Sequence, residues 1–228
     1  MTTLDDTAPA VPDLAELAEV STRLEGRPAS AAVRWAHERF GDDLVVAASF
    51  QDAVLIDVAV GVAPRIEVVF LDTQYHFAET LWYVEEVRRR YDLNLTVVSP
   101  LVEPDNRWRT DVEACCGARK VEPLARALAG RAAWITGLRR VDAPTRAKAP
   151  IVSWDAARSM VKVNPLASWT DADMAGYAAD HQLPVNPLTE RGYPSIGCWP
   201  CTRPVAPGED PRSGRWAGKG KTECGLHA

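Results

Sequence analysis

The sequence predicts an α/β fold, a parallel sheet covered by helices with an irregular C-terminal tail, and three observations carry that expectation. Short apolar runs alternate with segments of helical periodicity between Asp43 and Thr136. The 228 residues, 46% of them hydrophobic, can bury one substantial core. From Pro184 onward Pro and Gly recur while apolar positions thin out. Regular alternation of strand and helix implies parallel strands with crossover helices on both faces.

In chain order, residues 1–12 are polar and Pro-containing and are expected to be disordered. Leu14, Leu17, Val20 and Leu24 recur at helical spacing, and Pro28 to Phe40 reads as a second helix. Asp43 to Ser49 is a strand, Ala53 to Val60 a helix, Ile66 to Leu71 a strand and Phe77 to Arg90 a long amphipathic helix. Leu95 to Val98 and Ala132 to Thr136 add strands, with a helix from about Glu113 to Ala129 between them. Gly137 to Pro150 holds Arg139, Arg140, Arg146 and Lys148 and reads as a basic surface loop. Thr170 to His181 is the last helix, capped by Ser168 or Thr170. The expected division is an α/β nucleotide-binding domain over 13–182, with its N-terminal helices, and a CxxC segment with a mobile tail over 183–228.

No apolar run approaches the ~20 residues that span a bilayer, and the N-terminus has no basic flank or apolar stretch of an export signal. A net charge of −5 disfavours a nucleic-acid surface, although a local basic patch can still bind a small anion. A cytoplasmic protein is expected.

The cysteines are Cys115, Cys116, Cys198, Cys201 and Cys224. An odd number in a cytosolic chain points to metal ligation or thiol chemistry rather than a disulfide framework. Two residues between Cys198 and Cys201 let the chain curl round one metal centre. Cys115 and Cys116 are adjacent, so their side chains diverge. That suits a multi-iron cluster, where neighbouring thiolates bind different irons, better than one zinc ion. Buried structural thiols at a helix start, or a redox-active CxxC pair, are the competing readings, the latter weakened by its Gly/Pro-rich context. Cys224 follows a segment, Arg212 to Lys221, with four basic residues and no acidic one, which favours its thiolate; the adjacent Glu223 works against it.

CCGARKVEP at 115–123, CWPCTRPV at 198–205 and ECGLH at 223–227 together resemble the assimilatory adenylyl-sulfate (APS) reductases of bacteria and plants, over about residues 40 to 228. Phosphoadenylyl-sulfate (PAPS) reductases share the fold and the ECGLH tail but lack the CC and CxxC pairs. The resemblance implies an adenine nucleotide α-hydrolase-like, Rossmann-like domain. It implies that Cys115, Cys116, Cys198 and Cys201 hold a 4Fe-4S cluster, that Cys224 is the nucleophile, and that Lys120 lies between cluster and substrate. Ser49, on the loop Ser49 to Asp52 after the first strand, is placed at the nucleotide, without the double Gly of the SGGxDS loop of related pyrophosphatases. Asp72 and Thr73 resemble the LDTG pattern, with Gln74 in place of its Gly; a turn cap is an equal reading of Asp72. Arg139 or Arg140 of GLRR, with Arg212 and Arg215, would bind the phosphosulfate through paired hydrogen bonds. His227 completes these substrate contacts.

The activity so implied is thioredoxin-dependent reduction of APS to sulfite and AMP, in sulfate assimilation and cysteine biosynthesis, by an oxidoreductase acting on a sulfur group. If four cysteines bind the cluster, no resolving thiol remains for Cys224, and thioredoxin supplies it. The alternatives are a PAPS reductase that carries a cluster, a nucleotide α-hydrolase acting in RNA thiolation, and a zinc-stabilised nucleotide-binding protein without reductase activity. A homo-oligomer is left open.

Overall fold

The computed structural model describes residues 12–219, 221 and 223–226, so the expected disorder of residues 1–12 falls, apart from Pro12, outside the described residues, as does His227. The chain runs α1 (Leu14–Leu24), α2 (Ala29–Phe40), β1 (Leu44–Ala48), α3 (Val54–Val62), β2 (Glu67–Leu71), α4 (Ala78–Tyr91) and β3 (Leu95–Val98). It continues with α5 (Arg107–Thr110), α6 (Val112–Cys116), α7 (Glu122–Leu128), β4 (Ala133–Thr136), β5 (Val152–Asp155), β6 (Met160–Val163), α8 (Asp171–Asp180) and α9 (Pro187–Glu190).

Six strands form one sheet in the order β3-β2-β1-β4-β6-β5, in which β5 pairs antiparallel with β6 and the other neighbours are parallel. The sheet is therefore mixed, with an antiparallel edge, where the sequence predicts a parallel one. Strand order reverses between β1 and β4, which opens a crevice beyond the strands' C-terminal ends where ligands of such sheets bind.

The pleat sends alternate residues to opposite faces. Val46, Val68, Ile135, Val161 and Val163 join a core with buried residues of α1, α2, α3 and α4. Val45, Val69, Val98, Trp134 and Met160 face the other way, against Leu124 and Leu128 of α7, and Leu226 of the tail packs against this second cluster. Asp13 caps α1, and Thr170 with Asp173 forms a full capping box on α8, worth about 1 kcal/mol.

The helix expected from Glu113 to Ala129 is interrupted. Between α6 and α7 the backbone makes one π-helical turn over Gly117–Val121, directly after Cys116. Beyond residue 183 the chain folds back on the domain, where Thr202 and Arg215 form an isolated bridge and Trp216 is buried.

Candidate active site

Three strand-end loops face the crevice. After β1, the Ser49 hydroxyl accepts the Gln51 N–H (3.4 Å) and Asp52 caps α3 through the Val54 N–H (3.0 Å). Burial raises the Asp52 pKa against the opposing effect of that N–H. After β2, Asp72 accepts the Gln74 N–H (2.9 Å), which is the turn-cap role. Thr73 is buried, accepts the Tyr75 N–H (3.3 Å) and lies 3.3 Å from the Cys198 sulfur. After β4 come Gly137 and the arginine pair.

These loops also clamp the CxxC segment. Gln51 donates to the Pro194 carbonyl (3.4 Å) and accepts the Ile196 N–H (3.0 Å). Trp199 N–H donates to the Tyr75 carbonyl (2.8 Å), and the Cys201 N–H donates to the Cys198 carbonyl (2.9 Å) in the turn that brings both thiols to one side.

Cys115, Cys116, Cys198 and Cys201 line a single pocket with Lys120, Arg119 and Arg215, so all four thiols come together across more than eighty residues of sequence. All five cysteines are free thiols. Burial, then the neighbouring Cys116 and Cys198, pushes the Cys115 thiol up to about 11; burial also raises Cys116, against Lys120 and Lys221. Lys219 donates to the Trp108 carbonyl (2.7 Å) and reaches the Cys201 sulfur (3.5 Å). Among the described residues no three Cys, His, Asp or Glu side chains stand close enough to hold a single metal ion. The donor set, four sulfurs ringed by Lys120, Lys219 and Arg215, fits a negatively charged metal–sulfur group.

Lys120 lines the four-thiol pocket. Burial opposes its charge, but the thiols of Cys198, Cys224 and Cys116 outweigh burial and the Arg215 charge, and its pKa is raised. Cys224 is thus within electrostatic reach of Lys120, Arg215 and Cys116. Arg215 donates to the Ser195 hydroxyl and the Ile196 carbonyl (3.1 Å each) and lies over the Trp216 ring, while its Nε has no hydrogen-bond partner among the described residues. Burial, with the neighbouring Arg212, depresses its pKa. Arg212 reaches the same Ser195 hydroxyl (3.4 Å). The two arginines expected at the phosphosulfate are therefore adjacent and share one anchor.

The GLRR pair is differently engaged. Arg139 donates to Asp171 and Asp142 (2.8 Å each), and Arg140 donates to Glu25 (2.6 and 2.8 Å) and to the Ala149 carbonyl (2.8 Å). Both are tied to carboxylates rather than left free for an anion. The loop from Gly137 to Pro150 lies at the surface, as its composition suggests, with Val141, Thr145 and Lys148 exposed, but Arg146 within it is 10% exposed and binds Asp142 and Glu223.

Sequence reasoning also passed over Arg119, although it lies within the quoted CCGARK motif. It is 1% exposed, donates to Gln74 and to the Glu103 carbonyl (2.6 Å each), and lies over the Tyr75 ring. Its spacing of four residues from Cys115 was the available signal. Gln74 has φ 65°, the left-handed conformation that favours Gly, and its side chain serves as the partner of Arg119.

The phosphoadenosine phosphosulfate reductase domain model matches residues 43–204. The chain is 51% identical over 224 residues to the adenosine 5'-phosphosulfate reductase of Mycolicibacterium smegmatis, covering 94% of this chain and 95% of that protein. The enzyme of the same name from Rhodococcus opacus is 48% identical over 235 residues, with 95% of each covered. Among solved structures, the PAPS reductase of Candida auris, a phosphate complex, superposes with a TM-score of 0.72 at 25% identity, over 87% of this chain and 97% of that one. The strand-end crevice, the matched domain and relatives near half identity agree: the chain belongs to the phosphoadenosine phosphosulfate reductase family.

Proposed function

We propose that this oxidoreductase reduces APS to sulfite and AMP in sulfate assimilation, with Cys224 as the nucleophile and thioredoxin as the reductant. The observation that supports this reading is the placement of the tail, where a Cβ at Gly225 would lie 3.5 Å from Val121 in the segment of Lys120, and Cys224 is within electrostatic range of Lys120 and Arg215. The relatives near 50% identity are APS reductases, whereas the PAPS reductase likeness stands at 25%.

Cys115, Cys116, Cys198 and Cys201 would hold a 4Fe-4S cluster, which supplies, when bound, a fixed negative charge and a link between α6 and the CxxC segment. Four sulfurs spread round one pocket suit a multi-iron group better than a lone zinc ion. Lys120 offsets repulsion between this charge and the anionic substrate. The Cys224 thiolate attacks the sulfur of APS, the bond from that sulfur to the phosphate oxygen breaks, and AMP departs with the electron pair. Arg212 and Arg215 neutralise charge on the leaving phosphate, and Ser49 and Thr73 lie on the loops that would border the adenosine. His227 belongs to this proposed set. A thioredoxin thiolate then attacks the Cys224 sulfur and releases sulfite, and its second thiol resolves the mixed disulfide. Five free thiols fit a reducing cytoplasm.

Mass spectrometry of Cys224 after anaerobic incubation with APS tests the reading. A sulfonate on Cys224 is expected in the wild type. Cys224→Ser should keep its iron and visible absorption yet release no sulfite. An unmodified Cys224 in active enzyme, or a colourless Cys224→Ser, would remove the assignment. Comparing rates with APS and PAPS decides the nucleotide.

A further inference from the structure

Among the described residues, the tail carrying Cys224 makes polar contacts at three places. Lys221, itself 7% exposed, pairs with Glu113, whose side chain is 78% exposed, so the carboxylate end of that pair is open to screening by salt. The Leu226 carbonyl accepts from Arg158 (3.1 Å), and its side chain joins the second core. Between them Glu223 meets Arg146 with both carboxylate oxygens, the Arg146 Nε donating at 2.6 Å, and Thr145 adds a hydroxyl at 3.5 Å. Both partners of this contact are largely enclosed, Arg146 at 10% and Glu223 at 26% exposure. A planar fork on a carboxylate also fixes direction, which a lysine contact does not.

Beneath Glu223 and Gly225 lies a cavity of about 310 Å³ lined by Arg146, Lys162 and Ser153. Lys162 stands on the open side of β6, over the Trp134 ring at 5.2 Å. Arg139 is held by Asp142 and Asp171, Arg146 by Asp142, and Arg158 by Asp155, so without Glu223 the cations Arg139, Arg146, Arg158 and Lys162 in and beside this cavity meet three carboxylates. Glu223 is the group of the tail that balances them.

We propose that Glu223 is a positioning residue for the reaction: by forking onto Arg146 it closes the tail over the cationic cavity and presents Cys224 to the substrate. The assignment rests on Cys224 being the nucleophile. With Glu223 neutralised the tail loses its directional contact and spends less time docked. The chemical step slows, while release of sulfite by thioredoxin, which needs Cys224 accessible, does not.

The test uses the full-length, cluster-loaded enzyme as wild type, Glu223→Gln and Glu223→Asp. Thiol alkylation is avoided, because removing the charge of Glu223 also favours the Cys224 thiolate. Hydrogen exchange of the 218–226 peptide reads tail opening without regard to thiol chemistry. Exchange is expected to rise about tenfold in Glu223→Gln, as for a lost charge-assisted hydrogen bond, and less in Glu223→Asp. Raising salt to about 0.5 M should speed exchange in the wild type and have less effect on Glu223→Gln. Single-turnover sulfonation of Cys224 should fall about tenfold in Glu223→Gln, with thioredoxin-driven release from the sulfonated enzyme unslowed. Slow sulfonation with unchanged tail exchange overturns the proposal, and so does wild-type behaviour of Glu223→Gln in both measurements. Absence of any sulfonate on wild-type Cys224 overturns the proposed mechanism itself; tail exchange would still report whether the Glu223 contact holds the tail.

Discussion

Gly197 precedes the first cysteine of the CxxC pair, and replacing it by Ala isolates the placement of Arg215. A Cβ at this position would lie 2.4 Å from one guanidinium nitrogen, 2.6 Å from Cζ and 2.9 Å from Nε. Unstrained contact begins near 3.5 Å, so the guanidinium must retreat by about 1 Å. It has little room, because Ser195 and Ile196 hold it at 3.1 Å and the Trp216 ring lies 4.5 Å away. Gly197 is not among the residues with positive φ, so the substitution adds crowding without backbone strain. Overpacking of this kind costs about 1–3 kcal/mol of stability. A group displaced by about 1 Å from a reacting centre loses about a hundredfold in rate, equivalent to about 2.7 kcal/mol. The assay is kcat/KM for APS at saturating thioredoxin, normalised to iron content, with a thermal melt alongside. The expected result is a folded, iron-containing Gly197→Ala enzyme with kcat/KM reduced about a hundredfold. Full iron content with a wild-type kcat/KM would show that Arg215 does not act where the crowding places it.

Arg119→Met removes two 2.6 Å bonds from a buried guanidinium and leaves Gln74 and the Glu103 carbonyl without a charged donor. A loss of about 1–3 kcal/mol in denaturant unfolding of the cluster-free chain is expected, and an unchanged stability would contradict this role. Lys162 has its pKa lowered from 10.5 to about 8, chiefly by burial, with Arg158 and Arg146 adding to the shift against Asp155 and Glu223. Because the folded-state value is depressed, the unfolded chain binds the extra proton between the two values, and wild-type stability should rise with pH from about 8 to 10.5. Lys162→Met should remove that rise and be the more stable protein below about pH 8, by roughly 1–2 kcal/mol once solvent access is allowed for. Parallel melting curves for the two proteins across this interval would count against a penalised lysine.

The strands β1 to β4 and the helices α1 to α4 are legible because their apolar residues keep a period of two or of 3.6 and because each is bounded by polar turns. β5 and β6 are not, since Ser153 and Asp155 interrupt the apolar run of the first and Lys162 that of the second. The four-against-one division of the cysteines is read from spacing; Cys115, Cys116, Cys198 and Cys201 line one pocket. The arginines of the surface loop find partners that lie far away in sequence. Arg140 finds Glu25 115 residues away, Arg139 finds Asp171, and Arg146 finds Glu223 at the far end of the chain. Such partners are invisible to local composition. Gln74 is read in the sequence as a missing Gly, yet the backbone keeps the left-handed turn and the longer side chain takes up a partner.

The π-helical turn between Cys116 and Glu122 makes the spacing of CCGARKVEP a matter of residue count as well as residue type. A π turn accommodates one residue more than the α-helical turn it replaces, and each residue advances an α-helix by about 100°. Losing one residue here would let α6 and α7 merge into an ordinary helix with its backbone hydrogen bonds intact, while turning the cysteine pair through roughly a quarter of a circle or more relative to Leu124 and Leu128. Fold and site therefore differ in their tolerance of a change in length. A shortened loop elsewhere on the surface alters a connection; a shortening at this turn leaves a well-formed helix that points its thiols away from Cys198 and Cys201.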